Sequence, residues 1–210
     1  MKMYNQITGK NIHRLEALSD GVFAIAFTIL VLDVRIPLHS EVHSEKDLIR
    51  LFLTLSPKLL AYFLSFMTLG IFWMAHSSQF LVIGKSDRNL MWLNLSFLLF
   101  VTVIPFTTAF LSEYMDFKFA VGIYWLNLFL LGMMLFFILR YVEKKNYFKA
   151  NMSHVDEIKN SMFRRGIVAQ SLYVAGASFS FINTYLSIAV LLSIQLYFAI
   201  GLYSKPSRER

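Results

Sequence analysis

The sequence contains no cysteine, so disulfides, thiolate nucleophiles and cysteine-held metals are excluded together. Charge is scarce as well. Asp, Glu, Lys and Arg make up 16% of the chain, 57% is hydrophobic, and mean hydropathy is +0.56. A soluble domain could not hide that much apolar surface, so the chain reads as an integral membrane protein. There is no Gly-x-Ser-x-Gly, no His-Glu-x-x-His and no phosphate-binding glycine loop, so no enzyme of those classes is expected. Acidic residues are outnumbered, giving a formal charge of +7. In a soluble chain that excess would suggest nucleic acid. Here it reads as basic loops held against anionic membrane lipid, with no nucleic-acid partner.

What is present is apolar sequence in long runs. Six spans follow from it: Arg14 to Val34, Pro57 to Phe80, Leu90 to Leu111, Phe119 to Val142, Gly166 to Ile182 and Tyr185 to Tyr203. Proline is well placed at the second span's start, and Pro105 should kink the third. Leu38 to Ser56 reads as an external loop carrying a short amphipathic helix. The polar start, Met1 to His13, and the length of the first run argue for a retained span, not a cleaved leader. The expected architecture is all-α: one polytopic domain over residues 1–210, with six transmembrane helices and a basic cytoplasmic loop over 143–165. The amino-terminal stretch, the turn at Lys85 and Arg88, that loop and Lys205 to Arg210 carry the Lys/Arg excess. The positive-inside rule puts them, and both termini, in the cytoplasm of a multi-pass cell-membrane protein.

The first span carries the strongest signal. Its opening turns hold Arg14, Glu16, Ser19 and Asp20, and its remainder is almost wholly apolar. A carboxylate near hydrocarbon depth needs protein or water partners and marks a functional site by default. At about 100° per residue, Leu18, Val22, Ile25, Ile29 and Leu32 share one stripe with Thr28 at its edge, and Asp20 points to the other side. Gly21, Ala24 and Ala26 are small enough to admit another helix closely. For an anonymous helix such a stripe is more often ordinary packing or lipid contact, and periodicity alone does not separate a packed seam from a pore wall.

Other polar residues are candidates for partnership. Trp73, His76 and Asn94, near the same ends of the second and third spans, are at the right depth to meet Ser19 and Asp20. The result is either a network that sets the first helix, with His76 a possible proton sensor, or a plain structural one. Arg14 can meet lipid phosphate, Glu16 or Asp20; Asp33 can concentrate cations at the outer end or pair with Arg35 or Lys58. His39 and His43 flank Glu41 at metal-ligand spacing, but no further ligand is nearby, so no metal or other cofactor is expected. Only His76 sits well inside a span, which argues against a haem site. Asn127, Gln170 and Gln195 read as interhelical hydrogen-bond partners.

The run from Arg14 through Ser19-Asp20-Gly21 into VFAIAFTILVLDV resembles the first-helix signature of the lysosomal-type potassium channels called the transmembrane protein 175 family. In that family an aromatic residue stands where this chain has Leu18. Likeness continues through FWMAH, Phe72 to His76, and WLNL, Trp92 to Leu95, and weakens in the last two spans. The resemblance implies a homotetramer around a central pore lined by first helices, with potassium as the permeant ion. It also implies selection at aliphatic rings in place of a Thr-Val-Gly-Tyr-Gly filter, which this sequence lacks. Those rings match Ile25, a Thr28 and Ile29 layer, and Leu32. The expected conductance is leak-like. The runner-up is a proton-coupled transporter or proton-conducting channel using Asp20 and His76, although no internal repeat is visible.

Overall fold

The computed structural model describes residues 11–36, 42–149 and 155–201. Within them every long element is helical, and the only strand-like feature is an isolated bridge between Ile83 and Phe148. The elements are α1 (Ile12–Leu32), α2 (Glu45–Thr54), α3 (Ser56–Val82), α4 (Arg88–Glu113), α5 (Lys118–Lys145), α6 (Val155–Ser178) and α7 (Thr184–Gly201). A 3-10 turn, Phe179–Phe181, joins the last two.

Local chemistry sets the ends. Asn11 caps α1 through the Arg14 amide, Ser44 caps α2 through the Asp47 amide, and Asp87 caps α4 through the Leu90 amide. Pro57 occupies the first turn of α3, where a missing N–H costs nothing. Asn146 ends α5 in the left-handed conformation, φ 52°. Pro105 lies buried within α4, which continues through it.

Four helices, α1, α3, α4 and α5, are long and apolar enough to cross a membrane. α7 is a shorter apolar helix. α6 falls short because its first turns carry Asp156, Glu157, Lys159, Arg164 and Arg165, leaving only its second half apolar. This revises the loop read over 143–165. Residues up to Lys145 finish α5, and those from Val155 begin α6. Lys159 spans the two helices, pairing with Glu143 and with Asp156 in its own helix, and these carboxylates hold its ammonium pKa above the ordinary range. The expectations for the far ends of the chain, for Pro37, His39 and Glu41, and for 150–154 concern positions outside the described residues.

The bundle is organised on α4 and α5, which pack along their whole length, with α3 beside α4. α1 rests on α3 and α4, while the α6–α7 pair covers α5 and α3. In lipid, apolar side chains gain little by leaving their surroundings, so close packing and hydrogen bonds between helices carry association. The bundle centre shows both. The Tyr124 hydroxyl of α5 meets Thr68 at 2.9 Å and Ser65 at 3.2 Å, both on α3. Thr108 of α4 donates to Ser65, and Gln195 of α7 donates to Thr68. Four helices are thereby tied at one level. Gln195 and Asn127, which donates to Thr107, therefore do bond between helices. Gln170 does not follow that reading: it lies against Gly132 of α5, and its Oε1 accepts no hydrogen bond.

Candidate functional site

The site is the first helix and what holds it. Leu15, Ser19, Phe23, Ala26 and Leu30 are buried on one face of α1, against α3 and α4. They recur at spacings of three and four, the period of a helix gripped along one side. A second face meets α3. There Asp20 accepts a 2.9 Å hydrogen bond from Trp73 Nε1, and Phe27 packs on Phe66 with centroids 4.8 Å apart.

The third face is uncovered. Leu18 is 45% exposed, Ile25 60%, Ile29 41% and Leu32 67%, and Thr28 is exposed beside them. Val22 departs from the expected stripe, being half-buried against the core. Ala26 is buried against its own bundle, so the helix its small side chain admits belongs to the same chain. Ala17, Gly21 and Ala24 are exposed next to the aliphatic row, and nothing lies within 4 Å of a Cβ added at Gly21. The Thr28 hydroxyl is turned back onto the Ile25 carbonyl at 2.8 Å. That satisfies its donor within the helix, so the layer offers a methyl and lone pairs, not a free O–H.

The inward face carries a buried polar lock. His76 Nε2 lies 2.8 Å from Asn94 Oδ1, Asn94 Nδ2 donates to Ser19 Oγ at 3.1 Å, and Ser19 Oγ donates to the Leu15 carbonyl at 2.8 Å. An amide oxygen only accepts, so His76 carries its proton on Nε2. The chain then runs in one direction from α3 through α4 into the backbone of α1, and such aligned bonds reinforce one another. The imidazole is clamped between Phe80, 4.3 Å away, and Phe97, 5.1 Å away and within 5° of parallel. Ser19, His76 and Asn94 are all buried.

Sequence reasoning placed Ser19, Asp20, Trp73, His76 and Asn94 near one another, and the structure brings them together in two parts. Ser19, His76 and Asn94 form the lock, while Asp20 and Trp73 form a separate, half-exposed pair. Among the hydrogen bonds described, none joins Asp20 to His76 directly. Arg14 is exposed; of its two acidic candidates, Glu16 pairs with His13 at 3.1 Å and Asp20 bonds Trp73. Lys58 pairs with Glu113 at 3.2 Å, so Arg35 is the cation that acts on Asp33.

One constellation escaped the sequence reading. Asp87 both caps α4 and accepts from Tyr141 at 2.7 Å and Tyr147 at 3.3 Å, fastening the α3–α4 turn to the end of α5. An Asp directly before a helix is the signal that could have found the cap. Nothing comparable marks the tyrosines, because their separation in sequence gives no periodic signal. Gly84 permits the same approach, since a Cβ there would stand 3.0 Å from the Lys149 Cα.

Residues 14–105 match the family model described as endosomal/lysosomal potassium channel TMEM175. A protein named as a potassium channel in Chamaesiphon minutus is 34% identical over 194 residues, covering 89% of this chain and 93% of its own. The crystal structure of a lysosomal potassium-selective channel TMEM175 homolog from Chamaesiphon minutus superimposes with a TM-score of 0.79 at 28% identity. That match covers 92% of this chain and 98% of the other. The human protein named endosomal/lysosomal proton channel TMEM175 is 38% identical over 112 residues, which are 49% of this chain and 22% of the human one. On the coverage and identity of these matches, the chain belongs to the TMEM175 family.

Proposed function

We propose that the protein is a potassium-permeable, leak-like channel of the cell membrane, assembled as a homotetramer around a pore lined by α1. The observation that carries this reading is the uncovered face of α1. Ile25, Ile29 and Leu32 stand exposed in successive layers on a helix whose opposite side is locked to its bundle. Four copies meeting on that face would stack aliphatic rings along an axis, with Ala17, Gly21 and Ala24 allowing neighbouring helices to close in. Such rings constrict by dewetting. Potassium gives up its hydration more cheaply than sodium, so a narrow dry ring favours it modestly. The Thr28 layer adds lone pairs where a partly dehydrated ion would pause.

In this reading α6 with its 3-10 turn, and α7, are the fifth and sixth spans, and both termini are cytoplasmic. Lys144, Lys145, Arg164 and Arg165 then face anionic headgroups at the cytoplasmic surface. The lock at Ser19, His76 and Asn94, with the Asp20–Trp73 pair, holds α1 at a fixed rotation and so fixes ring diameter. No cofactor is required; potassium is the permeant species.

Purified protein in liposomes tests this under opposed potassium and sodium gradients. A reversal potential on the potassium side is expected, and Ile25→Asn should move it toward zero by wetting the ring. An unchanged potential in the variant would remove Ile25 from the filter. Absence of any passive current would end the channel reading. A second reading, proton permeation through the same pore, draws on vertebrate relatives named as proton channels. It is separated by imposing a pH gradient with symmetric potassium.

A further inference from the structure

A cavity of about 510 Å³ lies between α3, α5 and α6, away from the uncovered face of α1. Its walls are mostly apolar, among them Phe72, Met133, Phe136 and Phe163. Polar side chains of α3 and α6 nevertheless stand among the lining residues. Gln79 of α3 donates its amide to the Leu135 carbonyl of α5 at 3.2 Å. Gln170 of α6 lies across Gly132, one turn earlier on α5, where a Cβ would collide with its amide nitrogen. Tyr173 sits one turn beyond Gln170 on the same helix, and all three line the cavity. Gln79 Oε1, Gln170 Oε1 and the Tyr173 hydroxyl are each buried without a hydrogen-bond partner. Gln79 is 7% exposed and Tyr173 1%.

Orphaned polar atoms are rare in folded chains because each costs the desolvation of an unpaired group. Two unpaired amide acceptors, both near the Gly132–Leu135 turn of α5, in an apolar pocket of this size match the pattern of a small-molecule site. The pairing they lack is a donor. From this geometry we infer that the cavity binds a neutral amphiphile with a hydroxyl head and an alkyl tail, of the long-chain alcohol class. The head donates to Gln79 Oε1 or Gln170 Oε1. The tail lies along the aromatic and methionine wall. A cationic head is disfavoured because Arg165 also lines the cavity. Water could serve the three polar atoms but gains nothing from the apolar remainder, and apolar space of that kind stays dry.

A diazirine derivative of octanol, photolysed with the reconstituted full-length protein, tests the site. Adducts should map to α3, α5 and α6 around Gln79, Gly132 and Gln170, and excess octanol should remove them. Octane should compete about tenfold less well, the difference expected for one buried hydrogen bond. The Gln79→Leu/Gln170→Leu variant keeps side-chain volume while removing both acceptors, and its labelling should fall several-fold. Ala169→Phe, which fills the cavity, should abolish labelling. Adducts spread over all lipid-facing helices, or octane competing as well as octanol, would overturn the inference. So would full labelling of the double glutamine variant. The octanol and octane comparison uses the wild-type protein, so the test does not depend on any variant folding.

Discussion

Replacing Asn94 by Leu probes the lock on α1 most sharply. Asn94 is fully buried and serves two partners, accepting from His76 and donating to Ser19. Leucine has similar bulk, so the change is chemical more than steric. Ser19 still donates to the Leu15 carbonyl and loses little. His76 cannot adapt, because Phe80 and Phe97 hold its ring on both sides. Its Nε2–H is left without its near partner in an apolar site, with only a strained 3.5 Å approach to Ser19 remaining. An orphaned buried donor costs about 1–3 kcal/mol, and the lost Asn94–Ser19 bond adds about 1 kcal/mol. For a chain of this size each kcal/mol moves the melting midpoint by roughly 2–4 °C. A fall of about 5–15 °C is expected in tryptophan-fluorescence melts of the purified protein.

The reasoning makes a further demand. Adding His76→Phe to Asn94→Leu removes the orphaned donor, so the double variant should recover much of the loss. Removing both partners of a buried hydrogen bond is often close to neutral. The coupling between the two sites should therefore reach about 1–3 kcal/mol. An unchanged midpoint in Asn94→Leu, or strictly additive losses, would refute the lock.

Trp73→Phe deletes the bond to Asp20 and should lower the midpoint by only a few degrees, because both groups are partly exposed. The same melts measure it. Asp87→Ala loses a helix cap and the acceptor for Tyr141 and Tyr147 together, and should cost about 1–2 kcal/mol from the cap alone. If Asp33, at the end of α1, concentrates cations at the mouth of the proposed pore, Asp33→Asn should lower inward potassium current in recordings at low ionic strength, and an unchanged current would remove it from that role.

Much of the molecule was readable without coordinates, for identifiable reasons. The long apolar runs of α1, α3, α4 and α5 exceed what a bilayer requires, and Pro57 marks a helix start by well-understood backbone chemistry. The short helix before α3 was legible from its alternating faces, and its Leu48, Ile49, Phe52 and Leu53 are exposed on the protomer. The start of α6 was not legible. Its charges suggested a loop, yet Lys159 meets carboxylates of its own turn and of α5, which stabilises a helix there. Depth along the membrane could be inferred from hydropathy, so Ser19, Trp73, His76 and Asn94 could be grouped. Rotation about each helix axis could not. Hence Val22 turned partly inward, and the polar group resolved into a lock and a separate pair. Gln170 looked like a partner for another helix, but only coordinates reveal that its place opposite Gly132 leaves its oxygen unpaired.

The absence of native cysteine makes the central claim directly testable, since any introduced thiol is the sole one in the chain. Single cysteines at Ile25, Ile29 and Leu32, with buried Leu30 and the exposed Trp92 of α4 as comparisons, can be treated with a charged thiosulfonate during current recording. If α1 lines the pore, modification at Ile25, Ile29 and Leu32 should block potassium current, and treatment of the other two should leave it intact. Current that persists after complete modification at all three aliphatic positions would place the permeation path elsewhere.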